Sequence, residues 1–436
     1  MTDQAGQNRA EGTAVHHAAF RYRNFRLFQT ARFLLVAALE MQSVAVGWQI
    51  YEITRRPLDL GLVGLAQFLP GLLLFLLGGH TADRFDRRHV LLTCYASFTL
   101  CTLALLSITL HGLHGGRNGV TPIYAVMVAV GLVRVFSGPA GQAFTPLLVP
   151  AEVFPNAAVW GSSIFNAATI SGPVIGGTLY ALRGSPVAVY LTASAALAAS
   201  VGLMLAIRIQ GVQQLSRGRD WKTVLAGFEY VRRNKLILGT TTLDLFAVLL
   251  GGAVALLPVF AREILKAGPG ALGLLRAAPG VGAALMALVM AYVPLRRHAG
   301  VKMLGCVAVF GAATVVFGLS RNLYLSLAAL LVVGAADMVS VIVRATLVQL
   351  ATPDEMRGRV SAVNMLFIGA SNEFGQFESG ITAQWMGTVP AVIAGGVGTL
   401  VIVALWSLFF PALRRVDRLT QESLAIAAEQ DLTEPS

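Results

Sequence analysis

Long apolar stretches alternate with short polar segments along the whole chain. Residues 60–77 and 90–110, for example, contain no Asp, Glu, Lys or Arg. Each stretch is long enough to cross a hydrocarbon core of about 30 Å as a helix. The pattern therefore predicts an all-α membrane protein with twelve spans, at residues 25–50, 60–79, 90–110, 120–147, 157–181, 187–207, 236–261, 270–294, 301–319, 322–350, 358–385 and 389–411.

The composition indicates a polytopic membrane protein and excludes a soluble globular domain. Hydrophobic residues make up 56% of the chain and charged residues 13%, and the mean hydropathy is +0.69. The net charge of +11 does not indicate nucleic-acid binding, because the basic residues fall mostly in alternate loops. This bias predicts a multi-pass protein of the cell membrane with both termini in the cytoplasm.

The two halves of the sequence resemble each other. Glycine and proline positions recur at nearly constant offset, as in Gly61 and Gly270, Pro70 and Pro279, Gly131 and Gly334, and Pro150 and Pro353. Six spans repeated in the same orientation form two parallel bundles, with a substrate site between them near the midplane. The predicted division is a cytoplasmic segment (1–24), a first bundle (25–207), a linker with an amphipathic helix (208–235), a second bundle (236–413) and a cytoplasmic tail (414–436).

A charged motif lies between the second and third predicted spans. Its spacing, Gly79-x3-Asp83-Arg84-x2-Arg87-Arg88, resembles the signature loop of the major facilitator superfamily. Segments such as Ala31-Arg32-Phe33 and Pro353-Asp354-Glu355-Met356-Arg357-Gly358-Arg359 resemble the enterobactin exporter branch of that superfamily.

The resemblance implies a role for this motif, which we expect to form a turn over residues 78–89. In the superfamily the loop latches the two halves on the cytoplasmic side, and the carboxylate at the position of Asp83 approaches the start of the eleventh span. A helix start attracts a carboxylate through its unpaired N–H groups. The alternative is that Arg84, Arg87 and Arg88 only set the orientation in the membrane.

Ionisable residues within the spans are few, and each needs a partner, a water-filled cavity or a function. A charge at the centre of a membrane helix costs at least about 2.5–3.5 kcal/mol on insertion scales. The candidates for proton coupling or substrate contact are Glu40, Arg134, Asp244, Asp337, Arg344 and Glu373, and Arg32, Arg276 and Glu378 are the other charged residues in the spans. In the superfamily, spans one, four, seven and ten line the central cavity, and two, five, eight and eleven form the interface. The charges follow this division.

Two pairings of these charges are possible. Arg134 and Asp337 occupy equivalent positions in the two repeats, so we expect them at similar depth on opposite sides of the cavity. Asp337 and Arg344 lie seven residues apart on one helix face, which competes with that pairing. Either Glu40 or Asp337 carries the coupling proton, or both are structural partners or substrate contacts.

A glycine-rich segment in the fifth predicted span resembles the antiporter-associated motif of the superfamily. It contains Gly172, Pro173, Gly176 and Gly177. Glycines permit close helix approach and proline removes a backbone hydrogen bond. The resemblance favours export, and the alternative is ordinary packing of small residues.

Together these features predict a secondary active exporter of a small amphipathic molecule, acting by alternating access with protons as the coupling ion. The chain contains no nucleotide-binding Gly-x4-Gly-Lys-Ser/Thr loop, and we expect no enzymatic activity, cofactor or metal. We expect a monomer in the bilayer whose partners are its substrate and protons, without nucleic acid. The alternatives are an importer or lysophospholipid flippase of the same fold, and a membrane sensor that binds a ligand without transporting it.

Overall fold

The computed structural model describes residues 18–112, 119–208, 221–293 and 297–417. Within these ranges the long elements are all helices, which we number α1 to α12. They are α1 Arg23–Thr54, α2 Pro57–Arg84, α3 Arg87–Leu110, α4 Thr121–Phe144, α5 Phe154–Arg183, α6 Val187–Ala206, α7 Lys235–Gly251, α8 Gly268–Tyr292, α9 Ala299–Leu319, α10 Leu323–Ala351, α11 Asp354–Met386 and α12 Thr388–Phe409.

Ten spans in the described part of the chain are long and apolar enough to cross a membrane. The two remaining long helices, α5 and α11, contain 30 and 33 residues, which corresponds to about 45 and 50 Å. Both are long enough to cross, but neither contains an 18-residue stretch as apolar as those of the other ten. The chain is thus a multi-pass membrane protein, and its full count of twelve spans stays a prediction.

The helices pack as two bundles with the same internal contacts. In the first half, α1 packs on α5 and α6, α2 packs on α4, and α3 packs on α4 and α6. The second half repeats this pattern six helices later, with α7 on α11 and α12, α8 on α10, and α9 on α10 and α12. The halves meet where α5 contacts α8 and α2 contacts α11. This arrangement confirms the predicted fold of two parallel bundles.

The turn between α2 and α3 is much shorter than the sequence pattern predicts. Helix α2 continues to Arg84, and only Phe85 and Asp86 separate it from α3. The Asp86 carboxylate accepts a hydrogen bond from the Arg88 backbone N–H and caps α3. The expected turn over residues 78–89 is wrong because polar residues extend the helix beyond its apolar part, where the Thr81 hydroxyl donates to the Leu77 carbonyl.

Helix α7 ends earlier than predicted and continues as irregular helical turns. After Gly251 the chain passes through a 3-10 turn at Ala253–Leu256, a short helical turn at Leu257–Val259 and a π-turn at Phe260–Ile264. Pro258 lacks the N–H that a regular ladder requires. The Ser379 hydroxyl of α11 donates to the freed carbonyl of Gly252 at 3.1 Å, which compensates for one lost helical bond.

The linker contains a helix over Trp221–Arg233 that packs against α11. A Cβ added to Gly227 would lie 2.8 Å from the Arg359 carbonyl oxygen, so the two backbones approach closely. The Phe228 ring stacks on Phe367 with centroids 6.2 Å apart. The predicted amphipathic helix therefore has a protein partner. Residues 1–17, 209–220 and 418–436 lie outside the described ranges, and the predicted domain boundaries stay predictions.

The bundles have two distinct ends. We call the end with the α2–α3 turn and the linker the basic end, because Arg84, Arg87 and Arg88 lie there. The other end carries the turn between α1 and α2, and we call it the sealed end. Near the sealed end the halves approach through glycines: a Cβ on Gly177 of α5 would lie 2.8 Å from the Cα of Gly273 of α8.

Substitution of Gly177 by Val tests this contact. The added side chain would meet the Pro269 carbonyl oxygen at 2.7 Å, so α5 and α8 must separate. Overpacking of this kind lowers the free energy of unfolding by about 1–3 kcal/mol, measured by thermal denaturation in detergent. The matched control is Gly202→Val on α6, where nothing lies within 4 Å of an added Cβ. An equal effect of both variants would show that the contact between the halves is not tight.

Candidate functional site

A cavity of about 680 Å³ lies on the inner side of the first bundle. Its walls belong to α1, α3, α4 and α5. The lining runs from Phe154 and Thr145, at the basic end, to Glu40 near the middle of α1. The cavity therefore extends from the basic end to the depth of the membrane centre.

Charges from both halves meet at the inner end of this cavity. Glu40 of α1 forms an ion pair with Arg276 of α8, with 3.7 Å between Oε2 and Nε. Glu373 of α11 accepts a hydrogen bond from the Gln376 amide at 3.2 Å. Arg134 of α4, on the cavity wall, and Arg276 both act electrostatically on the Glu373 carboxylate. Two carboxylates and two guanidinium groups, one of each from either half, thus form an electrostatic network across the interface.

The sealed end is closed by two further ion pairs between the halves. Glu52 pairs with Arg262 at 3.2 Å, and Arg55 pairs with Glu263 at 2.9 Å. The Tyr180 hydroxyl of α5 donates to Glu52 at 3.0 Å. These charged residues were absent from the predicted site because they lie outside the predicted spans. The signal that could have identified them is that an acid and a base lie close together just after the first and the seventh predicted spans.

A buried ion pair lies inside the second bundle. Arg344 of α10 pairs with Asp244 of α7, and the two side chains are only 4% and 9% exposed. Asp337 lines a small pocket together with Asp244 and Ser340. Among the described residues, Asp337 pairs with neither Arg344 nor Arg134. Arg344 pairs with Asp244 instead, and Arg134 lines the cavity. Arg134 and Asp337 do not meet, although their repeat positions are equivalent, because Asp337 lines a pocket inside the second bundle and Arg134 lines the cavity of the first.

The glycine-rich segment of α5 packs on two helices at once. A Cβ on Gly172 would lie 2.6 Å from the Cβ of Glu40, and one on Gly176 would lie 2.8 Å from the Cα of Met41. Gly177 and the Pro173 carbonyl contact Gly273 of α8. The segment therefore places α5 between α1 and the second half, close to the Glu40–Arg276 pair. Its association with antiport stays a prediction.

The basic residues of the signature motif bind within the first half. Arg87 donates to the Ala143 carbonyl at 3.1 Å, and Arg88 donates to the Leu205 carbonyl at 3.0 Å. Cations are favourable at these helix ends because the last carbonyls lack intrahelical partners. Arg84 is exposed. The surroundings of Gly79 and Asp83 lie outside what the structure describes, so the latch stays a prediction.

Solved transporters share this fold. A mutant of the nucleoside transporter NupG has a TM-score of 0.70 at 14% identity, over 89% of this chain and 100% of that one. A D-xylose-proton symporter has a TM-score of 0.68 at 13% identity, over 90% of this chain and 99% of that one. With the two-bundle architecture, these similarities define the fold of a membrane transporter.

The sequence places the chain more narrowly within this class. The family model of the transmembrane secretion effectors matches residues 14–435, so the chain belongs to that family. It is a membrane transporter of the major facilitator type and not an enzyme. Enterobactin exporters EntS from Shigella boydii and Escherichia coli are 28% identical over 399 residues, which cover 90% of this chain and 92% of theirs. The resemblance to the exporter branch is thus confirmed.

Replacement of Asp244 by Ala tests the buried pair. Arg344 would remain buried without its counter-charge, and loss of one partner of such a pair costs about 3–5 kcal/mol of unfolding free energy. The double replacement Asp244→Leu with Arg344→Met should recover most of this loss, because apolar substitutes need no counter-charge. Denaturation in detergent measures both effects.

The control for this prediction is Asp354→Ala. Asp354 pairs with Arg357 at 2.7 Å, but its side chain is 84% exposed. Exposed pairs contribute little to stability. Equal losses for Asp244→Ala and Asp354→Ala would contradict a stabilising role for the buried pair.

Proposed function

We propose that this chain is a secondary active exporter of a small amphipathic organic molecule, working by alternating access in exchange for protons. The observation that carries the proposal is a cavity that reaches from the basic end to the membrane centre, while ion pairs join the two halves at the opposite end. The exporter relatives support the direction of transport. Enterobactin, the substrate for which these relatives are named, is one such small organic molecule.

The basic end faces the cytoplasm in this proposal. Arg84, Arg87 and Arg88 lie there, as do Arg232 and Arg233 of the linker helix. Positive residues are retained on the cytoplasmic side of membrane proteins. The cavity then faces the cytoplasm and loads substrate from inside the cell, which is the state that precedes export.

Opening the sealed end requires the pairs Glu52–Arg262 and Arg55–Glu263 to separate. Three of the four side chains are between 45% and 53% exposed, and Arg262 is 21% exposed. Exposed pairs contribute only about 0.2–1 kcal/mol each, because water screens them. The seal therefore favours one conformation without locking it, as alternating access demands.

Proton coupling is assigned to Glu40. Its carboxylate lies where the cavity reaches the membrane centre, so protons can arrive through the cavity. The charged form attracts Arg276 of the other half, and protonation removes that attraction. The affinity of Glu40 for a proton thus differs between the conformation in which the halves hold Arg276 close and the one in which they do not. Such a difference in affinity is the requirement for coupling.

Charge reversal at the seal tests alternating access. Glu52→Arg would face Arg262 with a like charge, favour opening of the sealed end, and so close the cavity at the basic end. A cysteine introduced by Ser162→Cys, at the exposed cavity wall, should then react with a maleimide roughly two- to fivefold more slowly, given the strength of exposed pairs. The reaction of the native cysteines is subtracted, using protein without Ser162→Cys.

The matched variants distinguish pairing from a general effect of charge. Glu52→Arg combined with Arg262→Glu should restore the rate, since attraction returns. Glu152→Arg, at an exposed position outside the seal, should leave it unchanged. A double variant no faster than Glu52→Arg alone would exclude this pair from the seal.

Replacement of Glu40 by Gln tests proton coupling. Metabolites released by cells with and without the protein identify the transported compound, which is then loaded into liposomes containing purified protein. Its flux should respond to an imposed pH gradient in the wild type and lose most of that response in Glu40→Gln, which cannot exchange a proton. The control is Glu152→Gln. Wild-type flux that ignores the gradient would exclude proton exchange.

A further inference from the structure

Arg32 stands out among the charges of the cavity because no carboxylate in the described part of the chain forms an ion pair with it. Its guanidinium lies over the Phe165 ring, 5.4 Å from the centroid, and it lines the cavity. Among the described residues it forms no ion pair, and the side chain that acts on it electrostatically is Tyr95. Arg134 and Arg276, in contrast, both act on Glu373.

A second polar group without a partner lies beside Arg32. Gln29, one helical turn earlier, is 1% exposed, and neither its amide nitrogen nor its amide oxygen has a hydrogen-bond partner among the described residues. Buried amides of this kind are rarely left unpaired, because losing both water and a partner is unfavourable.

The two groups converge on one small residue of α5. A Cβ added to Gly161 would lie 3.3 Å from Nε2 of Gln29 and 3.5 Å from Nη1 of Arg32. Gly161 itself lines the cavity. The missing side chain at this position therefore leaves room next to both groups, Arg32 on the cavity wall and the Gln29 amide buried beside it.

The surroundings of this point are aromatic. Phe28, Tyr95 and Phe98 line the same cavity as Phe165. Ring faces attract a guanidinium and also stack with a flat apolar ligand. The wall thus offers a cation within an aromatic surface, with an unpartnered amide buried beside it, and Glu40, the acid of this cavity that the structure describes, is paired with Arg276.

We propose that Arg32 and Gln29 bind the anionic group of an aromatic substrate, whose ring packs against Phe165 and its neighbours. The inference rests on the proposed transport function and names the chemical class of its substrate, an aromatic anion. Binding supplies the counter-charge that Arg32 lacks and the acceptor that the Gln29 amide lacks. Release at the far side returns Arg32 to its unbalanced state, ready to bind the next anion.

Two probes of the same shape test the charge preference. The anion 2-naphthoate and its neutral amide, 2-naphthamide, differ in the charged group alone. Equilibrium dialysis against purified full-length protein should give at least about tenfold tighter binding of the naphthoate, because hydrogen bonds to ionised groups are among the strongest in proteins. Equal affinities, or no binding of either probe at millimolar concentration, would overturn the inference.

Variants then assign the binding to these residues. Arg32→Gln should weaken naphthoate binding about tenfold and leave naphthamide unchanged, and Arg32→Lys should retain part of the preference, since it keeps the charge but loses the planar fork. Gln29→Leu should weaken naphthoate alone, by a smaller factor. The control is Arg321→Gln, an exposed arginine at the sealed end.

The neutral probe also reports whether each variant keeps its cavity. A parallel loss of both probes in Arg32→Gln, with an unchanged preference in Arg32→Lys and Gln29→Leu, would exclude an anion site here. Equilibrium dialysis of the purified protein requires neither transport across a lipid bilayer nor a pH gradient. Selective anion binding without gradient-driven flux would therefore retain this inference and reject the transport proposal, and gradient-driven flux without anion selectivity would do the reverse.

Discussion

A hydrocarbon layer tolerates a charged side chain only where another charge or water compensates for it, and this constraint organises the whole molecule. The charged side chains of the spans discussed above lie at the interface between the halves, inside the second bundle, or on the wall of the cavity. At the interface, Glu40 and Arg276 come from different halves, so the compensation of each depends on how the halves are arranged. The electrostatic energy of this ion pair therefore changes with the relative position of the two halves.

The two halves share their packing but differ in their use of charge. The same pairs of helices contact each other in both bundles, as duplication of one six-helix unit requires. In the second bundle the pair Asp244–Arg344 is buried, with side chains that are 9% and 4% exposed. In the first bundle Arg32 and Arg134 face the cavity. The first half thus presents charges to the cavity, whereas the second half pairs these two charges inside its own bundle.

The fold could be predicted well from the sequence, because the hydropathy of a segment indicates a span and the repeated glycines indicate the duplication, without knowledge of how the helices pack. Less of the site could be predicted, because ion pairs depend on the rotation and tilt of helices that lie far apart in the chain. Arg134 and Asp337 occupy equivalent repeat positions, yet they do not pair among the described residues. Arg276 was recognised as a charge in the membrane, but nothing in the sequence directs it towards Glu40.

Local structure explains the remaining differences between expectation and structure. The turn at Phe85–Asp86 is short because a helix can extend into the polar layer, where hydropathy no longer marks its end. The irregular end of α7 follows Gly251 and Gly252 and contains Pro258, a combination that marks broken membrane helices. Both features were readable in principle, since they follow from backbone chemistry.

The π-turn at Phe260–Ile264 has a further consequence for how the halves fit together. Successive residues of a regular α-helix point about 100° apart, yet Arg262 and Glu263 both reach the end of α1. At the end of α1 the acid Glu52 comes first and the base Arg55 follows three residues later. On the facing segment the base Arg262 precedes the acid Glu263. Sliding one segment past the other by one position would bring like charges together, so the order of charges selects a single alignment each time the two halves close.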